Sequence, residues 1–179
     1  MTRIEEILQE KIKPKEKQII LVESLVSKEI SMEDFIMFFE SASDIDKGTC
    51  ADVMKHVSDQ KPELLKPYID ILVKYINYKA PRVKWGVPEA IGNLAKDDAE
   101  KTATAIPYLL KNTTDDKINT AVIKWCAAFA LTEIAKHYPG SRKQLMPIFE
   151  KIIREEKNDG VKNVYVKAIK IIEKNDANI

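Results

Sequence analysis

The chain has 179 residues, of which 45% are apolar, enough to form a continuous core without a metal or disulfide to hold it. Lys and Arg number 29 against 28 for Asp and Glu, which excludes a general electrostatic pull toward nucleic acid or anionic lipid. The halves differ: residues 1–80 carry 12 basic and 15 acidic side chains, a balance of −3, and residues 81–179 carry 17 and 13, a balance of +4, so a local basic surface stays open in the second half.

The chain begins with "MTRIEEILQEKIKPKEK", charged throughout and without the apolar run and cleavage site of a signal peptide. The next aliphatic run, "IILV", is cut by Glu23, far short of a membrane span. The expectation is a cytoplasmic protein with no membrane partner. Residues 2–29 read as two amphipathic helices split by "KPK", placed to cap one end of the helices beyond residue 30. Glycine occurs at only 48, 86, 92, 140 and 160, and no stretch alternates as a strand would, so the fold class expected is all-α. Apolar residues recur at helical spacing, as in Val83, Val87, Ala90, Ile91 and Leu94, and again in Ile123, Ala127, Ala130, Leu131 and Ile134.

Helix breaks are expected at "SDQKP", "NYKAP", "KDD" near 97, "NTTDD" near 114, "YPGS" and "KNDG", with Pro62 and Pro81 suited to a first turn. Between the breaks the chain repeats itself. "VKWGVPEAIGNLAK" begins at Val83 and "IKWCAAFALTEIAK" at Ile123; a third copy, "VKNVYVKAIKIIEK", begins at Val161, and a degenerate one, "DKGTCADVMKHV", at Asp46. Pro67, Pro107 and Pro147 fall forty residues apart, each expected inside an aliphatic helix, where a proline kink would set curvature. The units read as residues 31–59, 60–97, 98–138 and 139–175 of a single domain spanning 1–179.

The Lys-Trp phrases resemble the second helix of HEAT repeats of the bacterial type also found in phycobilin lyases, where Val-Arg-Trp leads into an Ala-rich helix. "IPYLLKNTTDD" is similar to the first helix and turn, with Pro107 at the family's proline and Asp115 at its turn aspartate. The resemblance covers residues 60–175 and implies a right-handed α-α superhelix, an armadillo-like solenoid of about four hairpins whose second helices line a concave face. The chain departs from the pattern by placing Lys84, Lys124 and Lys162 where Arg is usual. A lysine at a helix N-terminus faces the positive end of the dipole, so these three call for acidic partners, the nearest being Asp115, Asp116, Glu155 and Asp159. Lys96, Lys136 and Lys174 close the second helices, where the dipole favours them.

Catalysis has little to build on. His56 and His137 belong to no metal-ligand spacing, Cys50 and Cys126 read as buried inert thiols, and no Gly-x-Gly phosphate loop exists. The acid pairs at 97 and 115 sit where helices begin and read as caps. No catalytic residue, metal or cofactor is assigned.

Trp85 and Trp125 lie off the buried stripe, with Glu89 and Phe129 one turn on and Lys84 and Lys124 alongside. Either the indoles seal the joint between units or they grip a partner. The function expected is a non-enzymatic protein-binding or scaffold module holding a protein or peptide through these six residues. The alternative is nucleic-acid binding or DNA-base repair, since some bacterial HEAT-like solenoids are alkylpurine DNA glycosylases. Bilin-lyase chemistry has the repeat resemblance alone behind it.

Overall fold

The computed structural model describes residues 1–114 and 117–177, and every regular element among them is helical. The chain opens with α1 (Arg3–Gln9) and α2 (Pro14–Val26), and the "KPK" stretch forms the start of α2, with Lys13 at its N-cap and Pro14 in its first turn. Thr2 starts α1 with a reciprocal cap in which its hydroxyl accepts from the Glu5 amide while the Glu5 carboxylate takes the Thr2 amide. Ser31 and Ser43 cap α3 (Met32–Ser41) and α4 (Asp44–Gln60), each hydroxyl accepting from an amide three residues on.

After α4 come α5 (Pro62–Leu65), α6 (Ile69–Tyr75) and α7 (Pro81–Leu94), with Pro62 and Pro81 at helix starts, where no N–H is missed. The remaining elements are α8 (Ala99–Ala103), α9 (Ile106–Leu110), α10 (Ala121–His137), α11 (Arg142–Glu155) and α12 (Asp159–Asp176). Asp98, Thr120 and Asn158 cap α8, α10 and α12. Of the Asp97–Asp98 pair, Asp98 is therefore the cap, while the pair at 115 lies outside the described residues.

The prolines behave differently from one another, and this corrects the expectation of a common kink. Pro67 sits in a 3-10 turn, Lys66–Tyr68, that separates α5 from α6. Pro107 lies at the start of α9, which is broken from α8. Only Pro147 stands within a continuous helix, α11. A proline supplies no amide and its ring crowds the carbonyl four residues back, so a helix either bends around it or stops and restarts. Pro88, buried inside α7, is a further interior proline that the forty-residue spacing does not include.

The long helices pack on one another in chain order: α2 on α4, α4 on α7, α7 on α10, and α10 on α12. The α6, α9 and α11 helices lie against α7, α10 and α12. The core between these elements is aliphatic and continuous from Ile4 to Ile172, with Phe35, Phe39, Phe149 and Tyr165 as its largest wholly buried side chains. The apolar faces of the long helices are covered both by the helices that precede them in the chain and by the next long helix in the series.

Lys47 is the lysine that the Asp46 phrase shares with the other repeats, and it is only 4% exposed. Its ammonium donates to the carbonyls of Glu40 and Ala42 (2.9 and 2.8 Å), satisfying acceptors at the end of α3. It also lies 5.7 Å from the ring centroid of Phe39 and 5.9 Å from those of Tyr75 and Tyr78. Carbonyls and ring faces thus replace the acidic partner that its place near a helix N-terminus calls for. Lys47→Met, which keeps the stem and removes the donors, is expected to lower unfolding stability by about 2 kcal/mol. Urea denaturation checks this, and an unchanged midpoint would count against the carbonyl cap.

Candidate functional site

The helices α2, α4, α7, α10 and α12 form a series in which each packs on the next. Along it polar side chains tie α2 to α4, α4 to α7 and α7 to α10. Gln18 and Arg82 both donate to the Asp52 carboxylate, at 3.1 and 2.5 Å. Lys55 pairs with Glu89 at 3.3 Å, and the Cys126 thiol donates to the same carboxylate at 3.4 Å. Asn93 donates to the Ser58 hydroxyl at 3.0 Å and to the Lys55 carbonyl.

Three clefts open between these helices. The first, about 230 Å³, lies between α2 and α4 and is lined by Lys15, Ile19, Val22 and His56 among others. The second, about 210 Å³, is bounded by Asp59 of α4, Asn93 of α7 and Phe129 of α10, with Lys96 just past the end of α7. The third and largest of the three, about 320 Å³, runs between α10 and α12. Phe129 and Glu133 line both the second and the third, so α10 forms the ridge between them.

The structure gives the six sequence candidates unequal positions. Trp125 is 39% exposed and stacks parallel to Phe129, with centroids 5.8 Å apart and planes within 1°. Phe129 is held from behind, because Gly92 lets its ring approach α7 so closely that a Cβ there would stand 2.6 Å from Cε1. Trp85 holds the same place in its phrase, yet it is half-buried and its Nε1 is enclosed without a hydrogen-bond partner. The two indoles therefore differ: Trp125 borders a cleft, and Trp85 is set into the packing. Glu89 is a tie between α4, α7 and α10. Lys84 is half-buried.

Lys124 corrects the expectation that it stands beside the tryptophans as a first contact. It is 6% exposed, and its ammonium pairs with Glu156 at 2.7 Å. Among the described residues its carboxylate partner is Glu156, not Glu155, and the expected Asp115 and Asp116 lie outside them, while Lys162 does take Asp159, at 3.5 Å. Burial by itself raises the Glu156 pKa, but the hydrogen bonds from Lys124 and the Asn158 amide outweigh it and hold the carboxyl below its ordinary value. Lys136 and His137, at the end of α10, both face Glu133, His137 at 3.7 Å.

Sequence reasoning missed the α12 side of the third cleft, which contributes Val164, Lys167, Ala168 and Ile171. The signal was present as an i, i+3/i+4, i+7 stripe in "VKNVYVKAIKIIEK", but it was hidden because Asn163 stands where the other copies have Trp.

Neither cysteine thiol is activated as a nucleophile. Burial, with Asp46 nearby, pushes the Cys50 thiol up to about 12. Burial and the Glu89 carboxylate push the Cys126 thiol up as well. Neither thiol is expected to react with Ellman's reagent at neutral pH while the protein is folded. Labelling faster than unfolding would contradict the packing described for either one. Among the described residues no group of His, Cys, Asp and Glu is arranged to hold a metal ion, and no helix is long and apolar enough to cross a membrane. No protein-family model matches the chain, and neither a curated protein nor a solved structure matches it.

Proposed function

We propose that the chain is a short α-solenoid of HEAT-like hairpins, capped by α1 and α2, whose second helices form a concave face that binds a segment of another protein without catalysing a reaction. The observation that carries this reading is the α10 ridge, where an exposed Trp125 stacked on Phe129 borders clefts between successive helices. Aromatic side chains that are rigidly backed and half exposed are the usual anchors of protein interfaces. A solenoid offers such a face because each unit adds area while contacting only its neighbours. Buried reduced thiols at Cys50 and Cys126 suit a cytoplasmic setting.

The nucleic-acid reading draws less support from the same face. Its cations are largely neutralised in place, Arg82 by Asp52, Lys55 by Glu89, and Lys136 by Glu133. A surface that grips a phosphate backbone keeps its cations free for it.

Affinity capture with the intact protein, compared with Trp125→Ala and the double variant Trp85→Ala/Trp125→Ala, tests the proposal. Trp125→Ala is expected to fold as the parent does and to lose partners, since its indole is on the surface. The double variant is expected to lose stability in addition, through Trp85. Retention of every captured protein by a folded Trp125→Ala variant would refute the binding role.

A further inference from the structure

The cleft between α10 and α12 has a chemistry that specifies more than a generic partner. Its walls run from Trp125 to Lys136 on one helix and from Gly160 to Ile171 on the other, in each case about 16 Å at the rise of an α-helix. Its apolar lining comes from both walls, Trp125 and Phe129 on one and Val164, Ala168 and Ile171 on the other, the last 44% exposed. Val122, one turn before Trp125, extends this surface and is 49% exposed.

The rim is unevenly charged. Its carboxylate, Glu133, is occupied by Lys136 and His137. Lys167 stands on the opposite wall with no ion-pair or hydrogen-bond partner among the described residues, and Lys170, outside the cleft lining, is exposed one turn further along α12. The half of the chain that contains the cleft carries the +4 balance.

We propose that this cleft receives an acidic amphipathic helix of a partner protein, its apolar stripe on Trp125, Phe129 and Ile171 and its carboxylates on Lys167 and Lys170. A groove between two helices, three turns long and with an apolar lining, is the shape into which an amphipathic helix lays one face. Aliphatic residues make up much of that lining, which suits leucine-like side chains better than stacked bases. A rim cation lacking an internal partner selects the sign of the ligand, because a like charge opposite it is penalised. The proposal rests on the protein-binding reading above and adds the chemistry of the occupant.

The test uses two labelled helical peptides of about three turns with the same leucine stripe, one carrying Glu and the other Lys at the flanking positions. Fluorescence anisotropy titrations are made on the full chain. The Glu peptide is expected to bind about tenfold more tightly than the Lys peptide, and Lys167→Glu/Lys170→Glu is expected to reverse that order. Trp125→Ala is expected to weaken the Glu peptide about thirtyfold. Equal binding of the two peptides would overturn the proposal, as would indifference to the charge reversal or displacement of the Glu peptide by a thymidine oligonucleotide. All of these variants change exposed residues, and circular dichroism verifies their folding. If the Glu peptide fails while capture still depends on Trp125, the charge rule falls and the protein-binding reading stands. If Trp125-dependent capture fails too, both fall.

Discussion

Gly86→Ala is expected to destabilise the protein by about 2 kcal/mol net, although alanine is the better helix former. A Cβ at position 86 would stand 2.5 Å from both the carbonyl carbon and the oxygen of Ala51, and 3.0 Å from its Cβ. These are mainly backbone atoms of α4, so no side-chain rotation relieves the overlap. The helices must separate along the α4–α7 contact, which is the most extensive helix pairing in the molecule. Alanine would return roughly 0.5–1 kcal/mol of helix propensity, against an overpacking cost of about 1–3 kcal/mol. The overlap wins because the obstacle is main chain on a neighbouring element.

Gly92→Ala is a useful contrast. There the two nearest atoms belong to the Phe129 ring, at 2.6 and 2.8 Å, and the nearest main-chain atom, the Ala130 Cα, stands further off at 3.1 Å, so most of the overlap falls on a side chain. A smaller loss of stability is expected, together with a changed Trp125 emission as the stacked pair is disturbed. Denaturant midpoints read the difference; a Gly86→Ala protein as stable as the parent would show that α4 and α7 do not approach as described.

Lys124→Met is expected to cost about 3 kcal/mol at neutral pH, because it leaves the Glu156 carboxylate, whose side chain is only 7% exposed, without its ammonium. Replacing both partners, as in Lys124→Met/Glu156→Leu, is expected to recover much of that loss, since desolvating two charges offsets most of what their attraction contributes. A double variant as unstable as the single one would show that the pair does more than neutralise itself.

Acid should break the same pair from the other side, by neutralising the carboxylate that faces the Lys124 ammonium. The folded-state pKa of Glu156 lies below its unfolded value, so its contribution is fully present above the unfolded carboxylate value, about 4.3. It is lost as the pH falls through the depressed folded value. Asp44 shifts in the same direction through its hydrogen bonds from Tyr78 and Lys79. Stability measured from pH 7 downward should therefore fall below pH about 4, and Glu156→Gln should flatten that slope.

The helical class of this chain, the helix starts at Pro62 and Pro81 and the capping role of Asp98 were legible in sequence because each depends on residues within a turn or two of one another. The inertness of the thiols was legible for a related reason: both lie on apolar stripes, and a stripe at helical spacing is buried wherever the helix goes. The proline reading failed because three similar local sequences met different surroundings, two of which let the helix stop and restart and one of which kept it continuous.

What the amino-acid order determined by itself was local: where helices begin and end, which face of each is apolar, and that the same phrase recurs. Tertiary structure alone decided which members of that phrase are available. Trp125 reaches the surface while Trp85 is set into the packing, and Lys47 and Lys124 are drawn inside while Lys84 and Lys162 stay half-buried. The physical reason is that exposure belongs to the neighbour as much as to the residue: identical positions on successive helices meet different side chains across the gap, and only the folded chain places those side chains there.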